Sequence, residues 1–384
     1  MFKKSFILGC RQLCTRRIFL FAMIVVPLLM CVFFISLLQE GLPVRVPTAV
    51  VDLDRSEMSR ALIRNLKAQQ LVDVTTEVES YDKAMDAMRR TEVYGFYVIP
   101  ANFQRDAIAG EVPTLNYYSN MAYFVPGTFS YKGYKSVAVV SAAALVKDKA
   151  ESAGVPGRTV NALVQPVAID INPINNPWPN YSLYMTPSFV AGTLELMIVL
   201  ITIMTITYEI KEHTAHRWLD TAGGSMVIAL TGKLLPQTLI WLVVGWCCQA
   251  LMYSWGGFIL HCPLWHVLLM MALYVVACQG IGVFIAGLIP NPRFALSVGA
   301  LMMMLAFSVS GISFPVEKMY GAIGIFAYIY PMRWFFLAHV SQALNGLPLY
   351  YSRVAIIVLA LMPLLGLIVV PRLKKAMQKC VYVP

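Results

Sequence analysis

The chain has 384 residues, 58% hydrophobic and only 13% charged, with a mean hydropathy of +0.66 and a formal net charge of +10. A soluble domain is roughly one-quarter charged, so this composition excludes an ordinary soluble protein and points to a membrane protein. The positive balance does not mark a nucleic-acid binder. Between Gln39 and Thr186, 14 Lys/Arg meet 15 Asp/Glu, and the excess lies mostly at the chain ends beside apolar runs, where the positive-inside rule accounts for it.

Residues 1–17 carry Lys3, Lys4, Arg11, Arg16 and Arg17 with no acid, interleaved with Phe2, Phe6, Ile7 and Leu13. That pattern suits a short interfacial helix, the plainer alternative being a disordered basic anchor. Ile18–Leu38 has no charge and the roughly 20 apolar residues a span requires. It is too long for the apolar core of a cleaved signal peptide, and no small-residue cleavage site follows, so it is expected to remain as span one.

Residues 39–186 read as an inserted α/β domain. Strand-like runs at Thr48–Asp52, Leu71–Val78, 95–100, Leu115–Tyr118 and Leu163–Ile171 alternate with helical patterns at Ser56–Ala68, Tyr81–Arg90, a short stretch capped by Asn102, and Thr128–Ala150. Such alternation predicts an open α/β sheet. A proline-rich connector, 172–187, leads into the next apolar run. The domain has no histidine or cysteine, which removes His-based triads, thiol nucleophiles and ordinary zinc sites. "TAVVDLDRS" at 48–56 resembles the nucleophile motif of haloacid-dehalogenase-like phosphotransferases, with Asp52 and Asp54 as the paired acids. No second acidic pair follows to hold the metal, and two acids at a strand end also begin a turn and cap a helix.

Five further spans follow at Pro187–Tyr208, Leu234–Trp255, Leu264–Ile289, Phe294–Phe314 and Val354–Val370, making six within a membrane region that closes at 370. A seventh apolar region, Ile323–Val340, is interrupted by Pro331 and carries Arg333, so it reads as a broken or re-entrant segment. The tail, 371–384, is basic and lacks acids. Both termini and the loop 208–233 are then expected in the cytoplasm, with 39–186 outside it. Within the spans Glu195 is the clear acid, either a proton or substrate candidate or a group that sits in a wet outer vestibule or hydrogen-bonds a neighbouring helix, while Gln249 and Gln279 suit interhelical hydrogen bonds.

The loop 208–225, "YEIKEHTAHRWLDTAGGS", is a polar island. His213 and His216 lie three apart on one helical face, as two metal ligands could, but lack a convincing further set. Gly232-Lys233 is not a phosphate-binding loop. Val227 stands where that motif needs glycine, and Leu234 replaces its Ser/Thr. The chain therefore carries no nucleotide site or catalytic constellation, and no enzyme activity, metal or cofactor of its own is expected.

Taken in order, "VVDLDRSEMSRALIRNL" after span one, "YGFYVIPANFQRDAIAG", "YEIKEHTAHRWLDTA" after span two, "SGISFPVEKM" and "YPMRWF" resemble the type-2 permease family, the membrane subunits of ABC exporters. Within it, the likeness is to the subgroup with a large extracytoplasmic domain between spans one and two. It extends along essentially the whole chain. The family usually shows glutamates and then Gly-Thr after span two; Glu209, Glu212 and Thr214 keep that pattern, with His213 where glycine is common. The resemblance implies a homodimer or a pair with a related permease, and a separate ATP-binding subunit holding ATP and Mg. That subunit would dock on a coupling helix built from Glu209, Glu212, His213, Thr214, Arg217, Trp218 and Leu219, with Trp218 and Leu219 entering its groove. It further implies a bacterial inner membrane, a periplasmic adaptor with an outer-membrane channel, drug-like or lipid-like amphipathic cargo, and a broken hairpin over 311–340 with Gly311, Pro315, Pro331 and Arg333. A membrane sensor or scaffold, and a phosphotransferase using Asp52 and Asp54, are the alternatives.

Overall fold

The structure, a computed structural model, describes residues 1–41, 44–156, 159–160, 175–176 and 180–380. It divides into two compact units, Met1–Gly41 with Pro173–Pro384, and Leu42–Asn172.

In the first unit, six helices among the described residues are long and apolar enough to cross a membrane: Arg17–Leu37, Tyr181–Lys211, Met226–Ser254, Leu264–Leu288, Pro292–Val309 and Leu349–Lys379, here spans one to six. A bent pair, Gly321–Ala327 and Pro331–Leu344, meets at 75° between spans five and six. Helices are what charge-poor runs form in lipid, because every backbone polar group must find its partner within the segment. An N-terminal helix, Phe2–Thr15, precedes span one.

Span two is central, packing against spans one, four and five, with Leu194, Ile198, Val199, Ile203 and Ile206 fully buried. Lipid tails are as apolar as these side chains, so close packing and hydrogen bonds hold the helices together. Gln237 donates to Thr205 Oγ1 at 2.6 Å, tying span three to span two, and the Tyr274 hydroxyl donates to the Ala191 carbonyl at 2.8 Å, tying in span four. Span two starts at Tyr181, before the expected Pro187, because Asn180 caps it by accepting the Ser182 N–H at 2.7 Å. Residues 181–187, expected in the connector, are thus helical, with Pro187 inside. Thirty-one residues make a helix of about 46 Å, longer than the ~30 Å hydrocarbon layer, so span two has turns to spare beyond it.

The second unit holds a four-stranded sheet in the order β2-β1-β3-β4, with β1 Val46–Asp52, β2 Val72–Val78, β3 Gly95–Ile99 and β4 Asn116–Ser119. β1 runs parallel to both β2 and β3, while β4 pairs antiparallel to β3. Successive β1 residues point to opposite faces. Val50 packs with Leu62, Ile63 and Leu66 of helix Glu57–Ala68, and Ala49 and Val51 pack with Ala84 and Ala87 of helix Tyr81–Arg89. Ser56 and Ser80 cap these two helices with their side chains. Asn102 does not cap: it is left-handed at φ 66, and Asp54 reaches across to accept the Gln104 N–H at 3.1 Å at the start of helix Phe103–Ala109. The strand expected at 163–171 lies outside the described residues.

Candidate functional site

Span two ends at Lys211 and turns through His213 and Thr214 into a short helix, Ala215–Thr221. The turn is a Schellman motif: the Thr214 N–H donates to the Glu209 carbonyl at 2.9 Å and the His213 N–H to the Ile210 carbonyl at 3.2 Å. This motif needs a left-handed residue, and His213 supplies it at φ 56. Glycine takes that conformation without steric cost, whereas a Cβ adds about 1–2 kcal/mol. Histidine keeps the geometry and carries the strain, as one of the residues that enter this region more often than most.

Below the elbow sits a buried ionic cluster. Lys233, on the second turn of span three, is fully buried, and its ammonium pairs with Glu209 Oε1. The other carboxylate oxygen of Glu209 accepts from the Thr214 hydroxyl at 2.5 Å. The same ammonium lies 4.3 Å from the centre of the Trp218 ring, a desolvated cation–π contact. One lysine thus ties the end of span two, the elbow and the short helix to span three. Trp218 and Leu219, expected to enter a partner's groove, are 1% and 5% exposed and pack within their own bundle. The faces left outside are Glu212, His213, Thr214, His216, Arg217 and Asp220.

The N-terminal helix forms the opposite wall. It lies on span three, with the Ser5 hydroxyl donating to the Ala229 carbonyl at 3.0 Å. Close approach requires small residues at the crossing, since a Cβ on Gly9 would stand 2.7 Å from the Lys233 carbonyl oxygen, and one on Gly232 2.7 Å from Ser5 Cβ. Between this helix and the elbow opens a cleft of about 480 Å³, lined among others by Arg11, Arg16, Tyr208, Glu212 and Arg217. Arg16 stacks 3.6 Å from the Tyr208 ring centre and lies 3.8 Å from Glu212; that exposed pair adds little by itself. His213 Nδ1 is 4.0 Å from Cys380 Sγ, and among the described residues no three His, Cys, Asp or Glu side chains gather as a metal would need.

The family model for ABC-2 family transporter proteins matches residues 17–370. The chain belongs to the ABC-2 transporter family. It is a multi-pass membrane protein, and membership implies an ATP-binding partner subunit. No curated protein matches the chain.

The ABC-2 match takes in the remaining candidate residues. Glu195 is fully buried in span two, and Tyr274 Oη lies 3.3 Å from its Oε2. Gln249 donates to the Val267 carbonyl at 3.4 Å, and Gln279 accepts from Thr238 at 2.8 Å, so both link spans three and four. Between span five and the bent pair, Gly311 is left-handed at φ 93, and a Cβ there would stand 2.9 Å from Arg333 Nη1. Arg333 donates to the Ser310 carbonyl at 3.3 Å, lies 3.6 Å from Glu317 and covers Tyr328. Pro315 precedes the turn Val316–Lys318, and Pro331 opens the helix after the bend. Asp52 accepts the N–H groups of Asp54 and Arg55 at 3.1 and 2.9 Å and the Ser59 hydroxyl at 2.7 Å. Asp52 thus serves its own turn, and Asp54 the start of helix Phe103–Ala109.

Two buried ionisable residues, one in the cluster and one in the bent segment, escape sequence reading. Lys233 is 24 residues from Glu209, a separation no local pattern flags; its signal is a lone lysine at the start of an apolar run, where a buried charge must find a partner. His339, buried beside Phe335 in the bent segment, carries no motif.

Proposed function

We propose that this chain is the permease subunit of an ATP-driven exporter that moves an amphipathic molecule, drug-like or lipid-like, out of the cytoplasm or the inner membrane. ATP and Mg are held by the separate ATP-binding subunit, and this chain does no catalysis. The observation that carries the reading is the locked elbow. A force applied to the outer face of helix Ala215–Thr221 passes through Glu209, Lys233 and Trp218 into spans two and three together, which suits rigid-body tilting of the two helices. Glu212, His213, Thr214, Arg217 and the neighbouring cleft offer the mixed charges that fix a partner's register. Basic residues at both chain ends support cytoplasmic termini in a bacterial inner membrane. The inserted sheet unit is then periplasmic, as in the subgroup that works with an adaptor and an outer-membrane channel. A second copy or a related permease completes the pathway, with Glu195 facing or flanking it and the bent segment near its exit.

Single cysteines at 212, 213, 216, 217 and 220, in a background lacking the eight native cysteines, test the docking surface. Crosslinks to the ATP-binding subunit are expected from several of them. An intact complex that crosslinks at none overturns it.

A further inference from the structure

A second concavity, about 370 Å³, runs along the flank of the bundle between spans three, four and six. Its volume is that of a small-molecule site, yet it lies within the membrane-crossing helices, where the surrounding medium is acyl chain. Leu235, Val276 and Leu364 line it and are 38%, 38% and 50% exposed. Of its polar lining residues, Thr231 bonds back to the Val227 carbonyl at 2.8 Å and Thr238 donates to Gln279 Oε1 at 2.8 Å, leaving the Gln279 amide nitrogen as the unpaired polar atom in a mainly apolar trough.

One end of the trough is basic. Past Leu367, span six continues as helix Val370–Lys379, which buries Leu373 and Met377 and exposes Arg372, Lys375 and Lys379. Half-buried Lys374 stands seven residues beyond Leu367, about 10.5 Å along the axis and on the same side of the helix, with Lys375 next to it. On the other side, Ser5 is bonded to the Ala229 carbonyl, next to the lining residue Leu230, and the exposed Lys3 and Lys4 stand beside it in sequence. Of the acids near this end, Glu209 and Glu212 face Lys233 and Arg16, while Asp220 is exposed on helix Ala215–Thr221.

We infer that the trough holds one anionic phospholipid of the surrounding bilayer, an acyl chain between Val276 and Leu364 and the phosphate on Lys374 and Lys375. An apolar channel in lipid selects nothing by hydrophobicity, so the basic end supplies the preference. Each basic residue near a lipid headgroup strengthens binding roughly five-fold.

Native mass spectrometry of the intact purified protein, titrated with phosphatidylglycerol or phosphatidylcholine, tests this. Wild type should retain one phosphatidylglycerol per chain. The double variant Lys374→Gln/Lys375→Gln should weaken it roughly 30-fold while leaving phosphatidylcholine unchanged. Val276→Trp and Leu364→Trp, both at exposed positions, should each remove the bound lipid, and either alone decides if the other does not fold. Unchanged phosphatidylglycerol in the tryptophan variants, equal binding of the two lipids by wild type, or loss of a second protein copy instead of lipid overturns the assignment.

Discussion

Removing the Glu209 carboxylate isolates a charge that has nowhere to go. In Glu209→Ala, the fully buried Lys233 ammonium keeps only the face of Trp218, 4.3 Å away, and the Thr214 hydroxyl loses its acceptor. Breaking a buried pair by deleting one partner costs about 3–5 kcal/mol. The lost hydroxyl bond adds about 1 kcal/mol, and a desolvated cation–π contact offsets about 2 kcal/mol of the unpaired charge's cost. A net local loss of about 3 kcal/mol would speed hydrogen exchange of the slowest amides in 209–233 roughly 150-fold. Exchange on the purified protein, read by mass spectrometry, measures it directly. The control is Glu209→Ala/Lys233→Met. Replacing both charges by apolar groups is close to neutral where replacing one is not, so the double variant should recover most of the protection. Exchange within threefold of wild type in the single variant, or a double variant no better than the single, refutes the account of the cluster.

Three further outcomes follow from the same geometry. His213→Gly should relieve about 1–2 kcal/mol of left-handed strain and slow exchange at Thr214, whereas His213→Val should hasten it; the opposite order would sink the Schellman assignment. Gly311→Ala places a Cβ 2.9 Å from Arg333 Nη1 at φ 93 and should lower the apparent melting temperature, with an unchanged value counting against the tight bend. Gly232→Val should pry the N-terminal helix from span three and raise maleimide labelling of half-buried Cys10 several-fold; labelling at the wild-type rate would mean the crossing is looser than described.

The spans were legible because absence of charge over 20 residues leaves the backbone one solution in lipid. Helix starts were legible where a side chain declares them, as at Ser56 and Ser80, and misread where the cap comes from elsewhere, as Asp54 does for Asn102. Span two ran past its expected start because Pro187 looked like a boundary, while Asn180 was the cap. At the elbow, Glu209 and Thr214 stood out as a pattern, but the reason for glycine at 213 needed a dihedral angle. Trp218 and Leu219 could be recognised as an apolar face but not assigned to self or partner, because a hydrophobic stripe on a short helix says nothing of which surface meets it. Lys233 was noticed only as a failed phosphate-loop residue; its partner across 24 residues belongs to tertiary structure.

The crossing of the N-terminal helix over span three also sets an order of events during synthesis. Ser5 bonds a carbonyl 224 residues downstream. At about 5–20 residues per second, the first helix waits roughly 10–45 seconds after its own synthesis before the surface it covers exists. Its alternation of basic and apolar side chains lets it rest on a membrane meanwhile, and the small residues Ser5 and Gly9 leave it flat enough to be captured once span three arrives. The chain's beginning thus reaches its final place only after span three has been made, with spans four to six still to come.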